Sequence, residues 1–330
     1  MTEPLFGERV APPPAGSAPP AGAGPARSIP WGRIGIATIV FLLLYYPVGM
    51  MLVHRIDDDP DFAAPEAERA EGGSRAVAIA AALIDREAGS GHWTPNDPFF
   101  MPGAMLDNMP NFQRGIVAAL ARFAFELTDQ IARARGSSQT DKDLQEASGF
   151  LQYAGDKWVF DLKTSWAPTA TSDAQYRRAR VALLAYNRRL AAGQAVFERR
   201  SDNLLAVIDR IALDLGSVSA ALDSHIQEGG GWFDLKADDV FYGIKGQLYA
   251  YYLILRELGQ DYGNVMRERE LAATWNQMLD SLRRASALDP WIVINGAPDS
   301  IVMPSHLASQ GFYLLRARTQ LREISNILLK

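Results

Sequence analysis

FQRGIVAALARFAFELTDQIARAR, residues 112–135, sets the fold class. Within it Phe112, Ile116, Leu120, Phe123, Leu127 and Ile131 recur at spacings of 4, 4, 3, 4 and 4. That is the recurrence of one face of a 3.6-residue helix, and Gly136 predicts its end. The same period runs outward in both directions. Ser74 is a predicted cap for a helix over 75–88, Thr140 for one over 141–157 and Ser172 for a long one over 173–199. Further helices are expected over 203–227, 237–258, 263–287 and 306–329. Strand alternation is absent apart from WIVI at 291–294, and no fixed-period repeat occurs. The expected fold is all-α: a multi-helix bundle of about eight helices over 74–330, preceded by one transmembrane helix.

That preceding segment is IGIATIVFLLLYYPVGMMLV, Ile34–Val53, without a charge between Arg33 and His54-Arg55. Its twenty residues would reach roughly 30 Å, the thickness of a bilayer core. A cleaved signal peptide fits less well, because the tail before it is long and no small-x-small site follows. Residues 1–33 are a Pro/Ala/Gly-rich tail, with seven prolines in 11–30, too poor in apolar surface to offset its ordering entropy. Residues 54–73 read as an acidic juxtamembrane linker. Its Asp57-Asp58-Asp59 and Asp61 suggest calcium only superficially, lacking the Gly and Glu of an EF-hand loop, and are read as a solvated spacer. The flanking Lys/Arg are tied, Arg27 and Arg33 against Arg55 and Arg69. The acidic linker, repelled by an anionic cytoplasmic leaflet, favours tail in and domain out.

Composition narrows the chemistry. With 330 residues, 33 Lys+Arg against 38 Asp+Glu and a net charge of −5, the chain lacks the basic excess of a nucleic-acid binder. It has no Cys, which excludes disulfides, thiolate nucleophiles and Cys metal sites and suits an exported domain. With four His and no H-E-x-x-H, Walker A, G-x-G-x-x-G or G-x-S-x-G pattern, no metal site and no cofactor are expected.

Three patterns remain as candidate sites. The proline-broken loop 92–111 cannot be a helix and holds His92, Asp97, Asp107 and Asn108 beside Trp93, Phe99 and Phe100. It reads either as a pocket wall or as a braced cover over the bundle. Asp238, Tyr242, Lys245, Tyr249, Tyr252 and Arg256 line one stripe of the 237–258 helix, a seam able to form a polar network or a groove for a polar ligand. Arg177-Arg178, Arg188-Arg189 and Arg199-Arg200 are eleven residues apart, three turns, and so stack on one side of the 173–199 helix. This basic ridge suits an anionic ligand, lipid or acidic partner. It is equally a face satisfied by the chain's own acidic helices. His306 opens the last helix.

NDPFFMPGAMLDNMPNFQRG (96–115), ADDVFYGIKGQLYAYY (237–252) and SQGFYLLRAR (309–318) resemble an uncharacterised bacterial family, domain of unknown function 2333. The resemblance implies a Gram-negative inner-membrane protein with one span, and no established reaction, cofactor or catalytic residue. The expectation drawn from residues and resemblance together is an inner-membrane-anchored envelope protein. Its tail is cytoplasmic, and its periplasmic helical domain binds a partner protein or an anionic envelope ligand. The binding residues would be the six ridge arginines with Tyr249, Tyr252 and Arg256. The rival is an envelope hydrolase or transferase acting on cell-wall or lipid-linked substrate through His92, Asp97, Asp238, Tyr242, Lys245 and His306. A structural subunit of a membrane complex is the third reading.

Overall fold

A computed structural model describes residues 31–134, 140–160, 166–228, 234, 236–296 and 305–330. The expectations for the tail before Trp31, for the Ile131 side chain and for Gly136 fall outside what is described. The chain divides into two units, the first ending at Leu43 and the second running Leu44–Lys330. The described part of the first unit is the start of an apolar helix, α1 (Trp31–Val53). Its best window has a mean hydropathy of 2.2, and none of that window is buried. The last turns of α1, from Leu44, belong to the second unit.

The second unit is all-helical among the described residues: α2 (Arg75–Ile84), α3 (Asn108–Ala134), α4 (Lys142–Leu151), α5 (Ser172–Ala191), α6 (Ser201–Glu228), α7 (Ala237–Asp261), α8 (Gly263–Glu268), α9 (Ala272–Ser286) and α10 (His306–Leu328). The α3 face read from sequence is the buried one, with Phe112, Ile116, Leu120, Phe123 and Leu127 all at most 1% exposed. α7 is the central helix, touching α3, α2 and α9, while α4 and α5 pack outside α3 and α2, and α10 packs on α9 and α6. α3 and α7 meet through glycines. A Cβ at Gly115 would lie 2.0 Å from the Gly243 carbonyl oxygen, and one at Gly246 would lie 2.0 Å from that of Phe112. Only hydrogen side chains allow that approach. α2 enters the core directly: Ala76–Ile84 are all buried. Its N-terminus is capped by Ser74, whose Oγ accepts from the Val77 N–H. Asp261, from the end of α7, accepts from the Ser74 hydroxyl and from the Arg75 and Ala76 amides.

Several boundaries differ from the expectation. Asp141, not Thr140, caps α4, which stops at Leu151 rather than 157. Thr171 caps α5, because the Ser172 hydroxyl is already bonded to Ala154 and Lys157. α5 ends at Ala191, and Gly193 turns the chain at φ 71°. Arg199-Arg200 therefore leave the helix, and the three doublets do not stack on one side. The 263–287 helix is two helices broken at Glu270, φ 52°. The 92–111 loop contains short turns at Thr94–Asn96 and Pro102–Met105, and α3 begins at Asn108 with Pro110 in its first turn. At 291–294 no strand forms; one isolated bridge joins Asn295 to Ser305.

Candidate functional site

The linker is not a solvated spacer. Residues 57–62 lie along the α7 seam in register. Lys245, 1% exposed, donates to the Leu288 carbonyl at 2.8 Å and pairs with Asp58 at 2.9 Å. One turn on, the Tyr249 hydroxyl donates to the Asp59 carbonyl at 2.7 Å. Two turns further, Arg256 donates to the carbonyls of Pro60 and Phe62, both at 2.6 Å. From α2's end, Arg86 donates to the Tyr249 hydroxyl at 2.8 Å, pairs with Glu87 and Asp57, and lies between the Phe62 and Tyr249 rings. Burial pushes the Tyr249 phenol well above its ordinary range, so it stays a donor. Charge-assisted bonds to carbonyls and carboxylates are the strong ones, and the seam spends its cations on them. The groove that could have held a polar ligand holds the chain's own linker over this length.

The second feature is a cleft of about 410 Å³ walled by Trp93, Met101 and Trp158. His92 Nε2 lies 2.8 Å from the Asp97 carboxylate, whose side chain is only 4% exposed while His92 is half exposed. Hydrogen bonding to Asp97 raises the imidazole pKa despite partial burial. Asp97 is fixed by its own turn, its N–H donating to the Thr94 carbonyl. It also packs where a Cβ on Gly103 would sit, 2.0 Å away. Across the cleft, Asn96 donates to Asp173, and Arg177 pairs with Asp173 at 2.7 Å and donates to the Ala88 carbonyl. Behind His92, buried Gln113 donates to the His92 carbonyl and to Glu87, and accepts from Thr94.

The acidic candidates lie near the same loop, since Asp97 lines a cavity with Asp107 and Asp239. Asp238 joins Asp107 and Asp239, with carboxylate oxygens within 4.8 Å of one another. Asn111 donates to Asp239. Burial and the Asp107 charge raise both α7 carboxyls above the usual range. These three are the described residues that could hold a cation. Tyr242 stays with Lys245, its ring 5.9 Å from Nζ, and burial raises its phenol. His306 accepts at Nδ1 from the Ile294 N–H and donates its own amide back to the Ile294 carbonyl. Burial lowers its pKa. Among the six proposed catalytic residues, His92 pairs with Asp97, Tyr242 faces Lys245 and also feels the Asp238 and Asp107 charges, and His306 bonds Ile294, while Asp97 lines the further cavity with Asp107 and Asp239.

Of the ridge arginines, Arg189 grips Asp141 and Asp143 at the cap of α4. Arg199 donates to the Gly73 carbonyl and lies over Phe197, and Arg200 pairs with Asp202. Arg178 and Arg188 are exposed. Tyr252 is buried beneath the Arg256 guanidinium. Arg180, outside the doublets, reaches Glu68 and Asp85. Sequence reasoning missed Arg86, Glu87, Gln113 and Asp239, while Asp107 was among the polar groups of the 92–111 loop. One signal was visible: the charged triplet Asp85-Arg86-Glu87 directly after nine apolar residues of α2.

A family model described as "Uncharacterized protein conserved in bacteria (DUF2333)" matches residues 71–230 and 224–330. No curated protein matches, and no solved structure does.

Proposed function

The chain belongs to the bacterial family DUF2333, and within that membership we propose a single-pass scaffold of the inner membrane. α1 is the anchor, the tail is cytoplasmic, and the periplasmic helical body binds a partner protein or an anionic envelope ligand. The observation that carries this reading is the linker clamp. Lys245, Tyr249 and Arg256, the seam residues best suited to chemistry, are consumed in holding residues 58–62. A rigidly held exit from an anchor serves to position a body, which is the task of a scaffold. The body then offers the His92/Arg177 cleft as its concave, partly polar surface, with apolar walls for a ligand and donors on both sides.

A photo-crosslinking residue in place of exposed Arg178, next to Arg177 of the cleft, in the intact chain in native membranes, tests the reading. Recovery of one reproducible envelope protein or ligand is the expected result. Absence of any adduct across such positions around the cleft would overturn it. Placement is tested by a reporter fused after Lys330; activity of a reporter that works only in the cytoplasm would reverse the proposed orientation.

One observation favours the enzyme reading. A half-exposed imidazole held by a buried carboxylate in a cleft is the arrangement of a general base. Hydrolysis of a lipid-linked or cell-wall substrate by the wild type, abolished in His92→Gln, would establish it over the scaffold.

A further inference from the structure

We propose that the 98–102 loop and the 158–160 segment form an aromatic platform that enters the interface of the lipid bilayer beside α1. The inference rests on the reading of α1 as a membrane anchor. The Tyr45 and Tyr46 hydroxyls donate to the carbonyls of Phe100 and Phe99, at 3.2 and 3.0 Å. One turn later, Gly49 packs so closely on Pro102 that a Cβ there would lie 2.3 Å from the ring. The loop is therefore held against α1 seven to eight residues before its end at Val53. At 1.5 Å per residue that is about 10–12 Å back along the helix. A loop fixed at that level of a spanning helix cannot stay in bulk water.

Its chemistry suits the place. Phe99 is 81% exposed, Phe100 45% and Phe160 54%. Phe99, Phe100, Trp158 and Phe160 form a chain of edge-to-face rings 5.5–5.8 Å apart. Left in water, such a patch is costly, whereas aromatic rings concentrate at the membrane interface. Backbone carried toward hydrocarbon needs partners for its polar groups, and several in this loop have them. The Phe99 and Phe100 carbonyls receive hydroxyls from α1, the Met101 N–H donates to the Pro98 carbonyl, and Pro98 and Pro102 bring no N–H at all. The clamp lessens the electrostatic objection, since Asp57 and Asp58 are paired with Arg86 and Lys245, while Asp59 and Asp61 stay exposed. The patch is thus continuous with the apolar surface of α1, and the lipid that surrounds α1 is its occupant.

The chain has no cysteine, so single-cysteine variants of the full-length protein can carry an environment-sensitive fluorophore in phosphatidylcholine–phosphatidylglycerol vesicles. Labels go at Phe99→Cys and Phe160→Cys in the platform and at Leu42→Cys in α1. A fourth, Glu268→Cys, lies beyond the end of α7 toward which the linker runs. The expected result is strong quenching by chain-borne nitroxide at 42, and quenching at 99 and 160 several-fold above that at 268. Quenching at 42 with 99 and 160 equal to 268 would overturn the platform and leave the anchor standing. No quenching at 42 would overturn the anchor reading itself. Labels at 99 and 160 that resist aqueous dithionite yet escape the lipid nitroxide would show a protein covering the patch, and would also overturn the proposal.

Discussion

Lys245→Met tests the clamp at its most buried point. The substitution keeps the apolar stem and removes the ammonium. It strands the Leu288 carbonyl, 2.8 Å away, and leaves Asp58 without its partner at 2.9 Å. A hydrogen bond to a charged group contributes about 1.5–3 kcal/mol, and a stranded buried acceptor costs about 1–3 kcal/mol. Asp58 is one-third exposed and recovers part of its hydration, and the Lys245 pair with exposed Asp289 at 3.7 Å is weak, so its loss adds little. The expected net loss is about 2–4 kcal/mol. At about 1.4 kcal/mol per tenfold, opening of residues 57–62 becomes about 30- to 1,000-fold more frequent. Hydrogen exchange of the peptide covering 56–64 reads this directly, because the Asp59, Asp61 and Phe62 amides are bonded only within the docked segment. Asp58→Asn alone, and combined with Lys245→Met, completes a cycle. Unchanged exchange in Lys245→Met, or strict additivity of the two substitutions, would refute the clamp.

Four further outcomes are expected. Gly246→Ala drives a methyl into the Phe112 carbonyl across the α3–α7 contact, costing about 1–3 kcal/mol or more in chemical denaturation. For His92 the folded pKa lies above the unfolded value of about 6.5. Its stabilising contribution is full below that pH and is lost as pH rises through the folded value, so the stability gap between wild type and His92→Gln should narrow from pH 5.5 to pH 9. Asp238 is also raised, which for a carboxylate means a destabilising charge above its folded pKa. Asp238→Asn should therefore raise the melting temperature at pH 7, with the gain disappearing toward pH 4. Arg189→Gln should cost about 1–2 kcal/mol through Asp141 and Asp143, while Arg178→Gln should leave the melting temperature unchanged.

The helical fold was legible because its signal is local. The Phe112–Leu127 face, the Ser74 cap and the stripes of α7 depend on residues a few positions apart, and each is where periodicity put it. Helix ends were less legible where two capping residues stand side by side. Thr140-Asp141 and Thr171-Ser172 were each decided by a distant bond, Arg189 to Asp141 and the Ser172 hydroxyl to Ala154. The eleven-residue arginine spacing holds as arithmetic, but it assumes a helix through Gly193, where a positive φ turns the chain. The seam was visible as a polar line; its occupant was not. Lys245 and Asp58 are far apart in sequence, and nothing local in an aspartate run says whether it is solvated or docked.

The net charge of −5 gains a physical meaning from that docking. An unpaired acidic run beside a membrane helix would be a loose tether, held off anionic headgroups by its own charge. Here the polar handles along the exit from α1 meet the body. Tyr45 and Tyr46 donate to the Phe100 and Phe99 carbonyls, Asp57 and Asp58 pair with Arg86 and Lys245, and the carbonyls from Asp59 to Phe62 accept from Tyr249 and Arg256. The successive partners on α7 rise from 245 to 249 to 256 as the linker advances from 58 to 59 to 60–62. A one-residue slip would therefore misplace several charges together. Two paired acids and a fixed register hold the aromatic loop at a set level along the last turns of α1, and on the proposed reading of α1 as an anchor the clamp and the platform would together hold the body against lipid.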